Sequence, residues 1–166
     1  MHNSHPIFNY FERYPDAKHY CLTCGLQYER HFDKELQSRY GAVSSLFKQR
    51  PDSEIVWAGP WLIDVSKRSD LLADLIQLET ESPALSWLVS DSSIEKLATH
   101  FSERLNVSLP DGKTALFRFY DPRVIHNIPQ VLTSEQFHEI TTPLIGWYYR
   151  FEGRFYALQG GGLNAV

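Results

Sequence analysis

Cysteine is nearly missing from this chain: Cys21 and Cys24 are the two thiols in 166 residues. That is too few for a disulfide framework, and it suits a reducing cytosol. No apolar run approaches the ~20 residues that a membrane-spanning helix needs. The greasiest stretches, residues 114–119 and 144–149, are broken by Arg118 and Gly146. There is no basic start followed by an apolar run, so no secretory signal is expected and the protein is expected to be cytoplasmic. Basic blocks are lacking as well. Sixteen Lys and Arg face twenty Asp and Glu, for a net charge of -4. A nucleic-acid partner is therefore not expected, because phosphate neutralisation needs a net basic face. Neither a G-x-S-x-G nucleophile elbow nor a glycine-rich phosphate loop of the G-x-x-x-x-G-K-[ST] or G-x-G-x-x-G kind is found.

What is present is a composition fit for one folded domain. Hydrophobic residues make up 43%, aromatic residues 14% and charged residues 22%, which excludes disorder, collagen and coiled coil as global descriptions. The sequence divides into an N-terminal arm (residues 1–18), a folded domain (19–159) and a flexible C-terminal tail (160–166). The arm is aromatic without a clear period and is read as either loose or packed on the domain.

Residues 19–24 and 61–65 read as strands, and 84–89 as a buried strand. The apolar spacing of Leu36, Tyr40, Val43 and Phe47 predicts a helix within 33–47, with Gly41 ending it early. Leu71, Leu75 and Leu78 form the stripe of an amphipathic helix over 69–81. Ile94, Leu97, Ala98, Phe101 and Leu105 predict the clearest helix, over 92–105, with Ser92 and Glu95 at capping-box spacing. Asp111-Gly112 between two β-like runs predicts a hairpin. Asp121 with Pro122 is an N-cap followed by proline at the first helical position. Thr133 caps another helix with Gln136 three residues on, and residues 147–158 predict a terminal hairpin around Glu152-Gly153. The sum is an α/β or α+β single domain, a mixed β-sheet flanked by helices with a C-terminal β-hairpin.

Few residues suggest chemistry. The C-x-x-C pair invites a redox or zinc reading, but zinc needs about four ligands and no second pair supplies them. A redox pair normally opens a helix, whereas residues 20–25 read as a strand into a turn, so the two thiols are taken as buried small hydrophobes. The seven histidines are scattered, and His100 is read as solvated. No catalytic residue, metal or cofactor is assigned, and the protein is not read as an enzyme.

The densest pattern is residues 116–123, Leu-Phe-Arg-Phe-Tyr-Asp-Pro-Arg. Alternation sets Arg118 and Tyr120 on one face and Phe117 and Phe119 on the other. Arg123 lies in a first helical turn, where a cation opposes the helix dipole. It is either clamped to an internal carboxylate or part of a recognition surface. Trp61 is read as core. Tyr148 and Tyr149 belong to a hairpin too aromatic to bury itself, and aromatic side chains anchor interfaces. The candidate partner-binding set is Arg118, Tyr120, Asp121, Arg123, Tyr148 and Tyr149.

Gly59-Pro60-Trp61-Leu62, the helix holding His100, the Pro110-Asp111-Gly112-Lys113 turn and the 116–124 run, in that order, resemble the domain of unknown function 4123 family. The resemblance covers roughly residues 19–147. Where family members often show a Leu-Leu-Asp-Gly-Ala-like run, this chain has Cys24 in place of the aspartate. The resemblance implies an adaptor chaperone of bacterial type VI secretion. Such a protein binds a secreted effector, helps load it onto the spike protein of the secretion machine, and does no catalysis. Competing readings are an immunity protein that neutralises the toxin, and an enzyme of unrecognised class.

Overall fold

The computed structural model describes residues 5–47, 52–159 and 162–165. The strands are β1 (Lys18–Cys24), β2 (Val43–Ser45), β3 (Pro60–Asp64), β4 (Leu85–Ser90), β5 (Asn106–Ser108), β6 (Thr114–Leu116), β7 (Gly146–Phe151), β8 (Arg154–Gln159) and β9 (Gly162–Ala165). The helices are α1 (Ile7–Arg13), α2 (Gly25–Phe32), α3 (Leu72–Glu81), α4 (Ile94–Ser102), α5 (Pro122–Ile125), α6 (Ile128–Val131) and α7 (Ser134–Thr141). Seven strands form one sheet in the order β2-β3-β1-β4-β7-β8-β9, while β5 and β6 form a separate two-stranded sheet. Each pairing is antiparallel rather than a mixture of directions. The α/β reading and the terminal hairpin β7–β8 hold.

The strands alternate between two cores, as the period of two demands. One face presents Tyr20, Leu22, Leu62, Leu88, Trp147 and Tyr149 to α4–α7. The other presents Cys21, Ile63, Trp87, Val89, Tyr148 and Phe155 to α1–α3. The sheet is thus sandwiched, with the N-terminal helices on one side and the later helices on the other. Serine hydroxyls tie buried crossings: the Trp147 indole N–H donates to Ser86 Oγ at 2.9 Å.

Local signals explain most of the boundaries. Ser93, one residue later than expected, caps α4 by accepting from the Lys96 N–H. Asp121 caps α5 with Pro122 at its start, and Thr133 with Gln136 closes a full capping box on α7. Residues 69–71 form a 3₁₀ turn leading into α3.

Four expectations change. There is no helix over 33–47; α2 lies earlier and stops at Asp33, which sits in the left-handed region at φ 54°. The helical spacing there is accidental. Leu36 and Val43 enter one core and Phe47 the other, while Tyr40 is 97% exposed, so no common apolar face exists. Second, α2 begins directly after β1 where a turn was expected. A Cβ on Gly25 would strike the Trp57 carbonyl oxygen and the Trp61 indole, so glycine is needed for this close approach. Third, the open choice for the arm closes in favour of packing: α1 lies on the sheet, with Ile7 fully buried. Fourth, residues 162–165 of the expected tail pair with β8 as β9; positions 160, 161 and 166 lie outside the described residues.

Candidate functional site

Strand β6 ends at Leu116, and the chain turns through residues 117–120 into α5. The simple alternation therefore fails within the predicted site. Phe119 is fully buried and Phe117 half-buried, as expected, but Tyr120 leaves the face of Arg118 and enters the core. Arg118 remains exposed, its guanidinium carbon 5.7 Å from the Tyr120 ring centroid. Burial pushes the Tyr120 phenol pKa up, against the opposing pull of Arg118.

Asp121 does two jobs. Its Oδ1 accepts from the Arg123 backbone N–H at 2.9 Å, capping α5, and its Oδ2 accepts from Arg123 Nη2 at 2.7 Å. Arg123 Nε completes the fork at 3.1 Å. The Asp121 side chain is 7% exposed and that of Arg123 61%. This is the clamp at the strand-to-helix corner. The carboxylate offsets the dipole conflict of a cation in the first turn, and the outer rim of the guanidinium still meets solvent.

Tyr148 and Tyr149 are not exposed anchors. Tyr149 is wholly buried against α5–α7, its hydroxyl 3.0 Å from His126 Nδ1. Tyr148 lies on the opposite face beneath the Tyr10 ring, with centroids 4.0 Å apart, and burial raises its phenol pKa to about 12. The hairpin does not bury its own rings; β4 pairs along β7, and α1 and α5–α7 cover the two faces. Of the six predicted residues, the structure leaves Arg118 and Arg123 on the surface and takes Tyr120, Asp121, Tyr148 and Tyr149 inside.

The thiols also separate. Cys21 and Cys24 stand on opposite faces of β1, one in each core, so they cannot meet as a redox pair. Burial raises the Cys21 thiol pKa. Trp61 is core, its indole N–H donating to the Trp57 carbonyl at 3.2 Å. His100 is not solvated: it is half-buried, with Nε2 3.0 Å from the Ile140 carbonyl oxygen, pinning α4 to α7. Beside it Arg104 donates to the His100 carbonyl and to Glu139 Oε1, both at 2.8 Å.

Sequence reading missed a buried polar cluster. Glu79, on α3, is 2% exposed at its side chain. Its Oε1 accepts from Arg150 Nε at 2.9 Å and lies 2.8 Å from His5 Nε2, and its Oε2 accepts from the Trp87 indole N–H. The Ile7 backbone N–H donates to His5 Nδ1 at 3.1 Å, which leaves Nε2 to carry the proton toward Glu79. A signal existed: Glu79 falls at i+4 and i+7 from Leu75 and Leu72, on the apolar side of an amphipathic helix, and Arg150 interrupts an aromatic strand. A charge of each sign in apolar surroundings implies a pair. A hollow of about 470 Å³ opens beside it, lined in part by Arg123, Arg150, Ser82 and Glu152.

The β5–β6 hairpin carries several apolar side chains in the open. Val107, Leu109 and Leu116 are exposed there, next to a hollow of about 200 Å³ that includes Phe117, Leu132 and Ile140. Exposed apolar side chains grouped on a hairpin outside the main sheet are a docking feature. Among the described residues no group of three or more His, Cys, Asp or Glu is placed to hold a metal ion, and no helix is long and apolar enough to cross a membrane.

The fold and surface define a small α/β domain whose buried Glu79 and Asp121 carboxylates each pair with an arginine, and whose exposed apolar side chains include three on one hairpin. A family described as domain of unknown function (DUF4123) matches residues 19–139, most of the chain, and the protein belongs to that family. The match runs from β1 to α7; α1 and β7–β9 lie outside it. No curated protein and no solved structure matches the chain.

Proposed function

We propose that this protein is a non-catalytic cytoplasmic adaptor that binds a secreted effector of a type VI secretion system and helps load it onto the spike protein. The observation that carries the reading is the detached β5–β6 sheet, with Val107, Leu109 and Leu116 turned to solvent beside a half-apolar hollow. The resemblance of residues 59–62 and 116–124 to adaptor chaperones also favours it, as does the bend that follows β6, where Arg118 and Arg123 are exposed. Arginine and exposed apolar groups together make the mixture that protein interfaces use.

The test is co-expression with the products of neighbouring genes. A stable complex with a co-encoded toxin is expected, weakened about tenfold by Leu109→Asp or Leu116→Asp with the melting temperature unchanged. Deletion of the gene is expected to abolish delivery of that toxin. Independent behaviour of the two proteins at micromolar concentration overturns the reading. So does a deletion strain that delivers the toxin normally but dies from its neighbour's toxin, which is the phenotype of a lost immunity protein.

A further inference from the structure

The sheet face bearing Trp87, Tyr148 and Phe155 is covered by the N-terminal segment, whose helix lacks a side-chain cap. Helix α1 has seven residues, its N-cap position is Pro6 with no side-chain cap, and Ile7 alone of its residues is buried. A helix that short has no stability of its own in water. It joins β1 through a turn holding Pro15. Its contacts come from His5, Ile7 and the half-buried rings of Phe8, Tyr10, Phe11 and Tyr14. His5 hydrogen-bonds Glu79, with its ring 5.7 Å from that of Trp87 and 5.4 Å from that of Phe155. Ile7 is buried, Tyr10 stacks on Tyr148, and Phe11 stacks on His19 at 4.2 Å.

The groove beneath is complete without this strap. Glu79 keeps Arg150 and Trp87 as donors, both from elements of the sheet. Departure of His5 thus frees one acceptor position on a carboxylate already held in place. The position is anionic and rimmed by aromatic rings, so it complements an N–H donor followed by apolar groups. The strap itself spells out that pattern: a neutral ring N–H at one position, an aliphatic side chain two residues on, and aromatic rings five and six residues on.

We infer that α1 is a displaceable strap over a second docking groove, and that the occupant which replaces it is a short segment of the secreted partner with the same pattern. The inference rests on the adaptor reading for the identity of the partner, but release of the strap is measurable without one. Recognition then follows helix-in-groove logic, and the strap lowers apparent affinity by the fraction of time it is closed.

The probe is a labelled synthetic peptide of residues 5–14, added to the full-length chain. Ile7→Ser weakens the strap without touching the groove floor, and should bind the peptide at least about tenfold more tightly than the natural chain does. In the natural chain, hydrogen exchange of the α1 amides should run at least about tenfold faster than that of β4. Equal protection of α1 and β4 overturns the inference, as does a folded Ile7→Ser protein that ignores the peptide. Concentration-dependent dimers with exchanged straps would make a second copy the occupant and overturn the partner assignment. Toxin binding that saturating peptide leaves unchanged overturns the groove while the adaptor reading stands; peptide binding with no toxin binding overturns the adaptor reading and its partner segment, and leaves strap release standing.

Discussion

The two faces of the sheet are closed by different means. On one, α4–α7 bring Ile94, Leu97, Phe101, Phe119, Ile125 and Ile140 onto a floor of Leu22, Leu88 and Trp147, and α4, α5 and α7 each start at a side-chain cap. On the other, α3 supplies a leucine stripe and α2 supplies Tyr28, while the end over β7 and β8 is covered by the uncapped α1 and a buried carboxylate. A dry face with capped helices is held by packing, which is lost only when the domain unfolds. A face held partly by one hydrogen-bonded charge can open locally. The lesson is that burial alone does not make a surface permanent; the means of covering it decides.

The largest blow to the first face should come from Phe119→Ala. Its ring is fully buried and meets Phe101, Phe117 and Trp147, so a loss of about 3–5 kcal/mol is expected in denaturant unfolding. A much smaller loss would mean that this face is loosely packed.

Glu79→Gln addresses the second face. The amide cannot accept from all three donors, and a cost of about 1–3 kcal/mol is expected, together with faster hydrogen exchange in α1. If stability falls and α1 exchange does not change, the cluster fastens the domain and not the strap.

Acid should act on the first face through His100. Burial is the main cause that lowers its pKa below the ordinary 6.5. The unfolded chain therefore takes up a proton near that pH which the native chain refuses. Stability is complete above about 6.5 and falls as the pH drops through the unfolded value toward the lower native one. The melting temperature should decline over that window, and His100→Gln should flatten the slope. An unchanged slope assigns the decline to other groups.

Arg123→Ala is expected to have the smallest effect, below about 1 kcal/mol, because its side chain is largely in water. Partner affinity should fall more than stability does. A melting temperature reduced as far as by Phe119→Ala would make this arginine wholly structural.

The parts legible in the residues were those governed by near neighbours. Thr133 with Gln136, Asp121 with Pro122, the leucines of α3 and the Asp111-Gly112 turn each act within a few positions, and each appears as expected. The helix over 33–47 failed because apolar spacing does not say whether those side chains share one core. In the candidate site, the residues left Arg118 and Arg123 open between clamp and recognition surface, and both are exposed; Tyr120, Asp121, Tyr148 and Tyr149 are buried, the last two because their cover comes from distant α1 and α5–α7. Glu79 escaped notice although its place on an apolar helix face was visible; two of its three partners, His5 and Arg150, lie 74 and 71 residues away in sequence.

Sequence alone settled the class of fold and the caps that start α4, α5 and α7, the first within one residue, because caps, turns and periodicity are short-range chemistry within one segment. Which strands adjoin, which face each aromatic ring enters, and the convergence of His5, Glu79, Trp87 and Arg150 were decided by tertiary structure. Those outcomes depend on which distant surfaces exclude water together, and no local pattern encodes that choice.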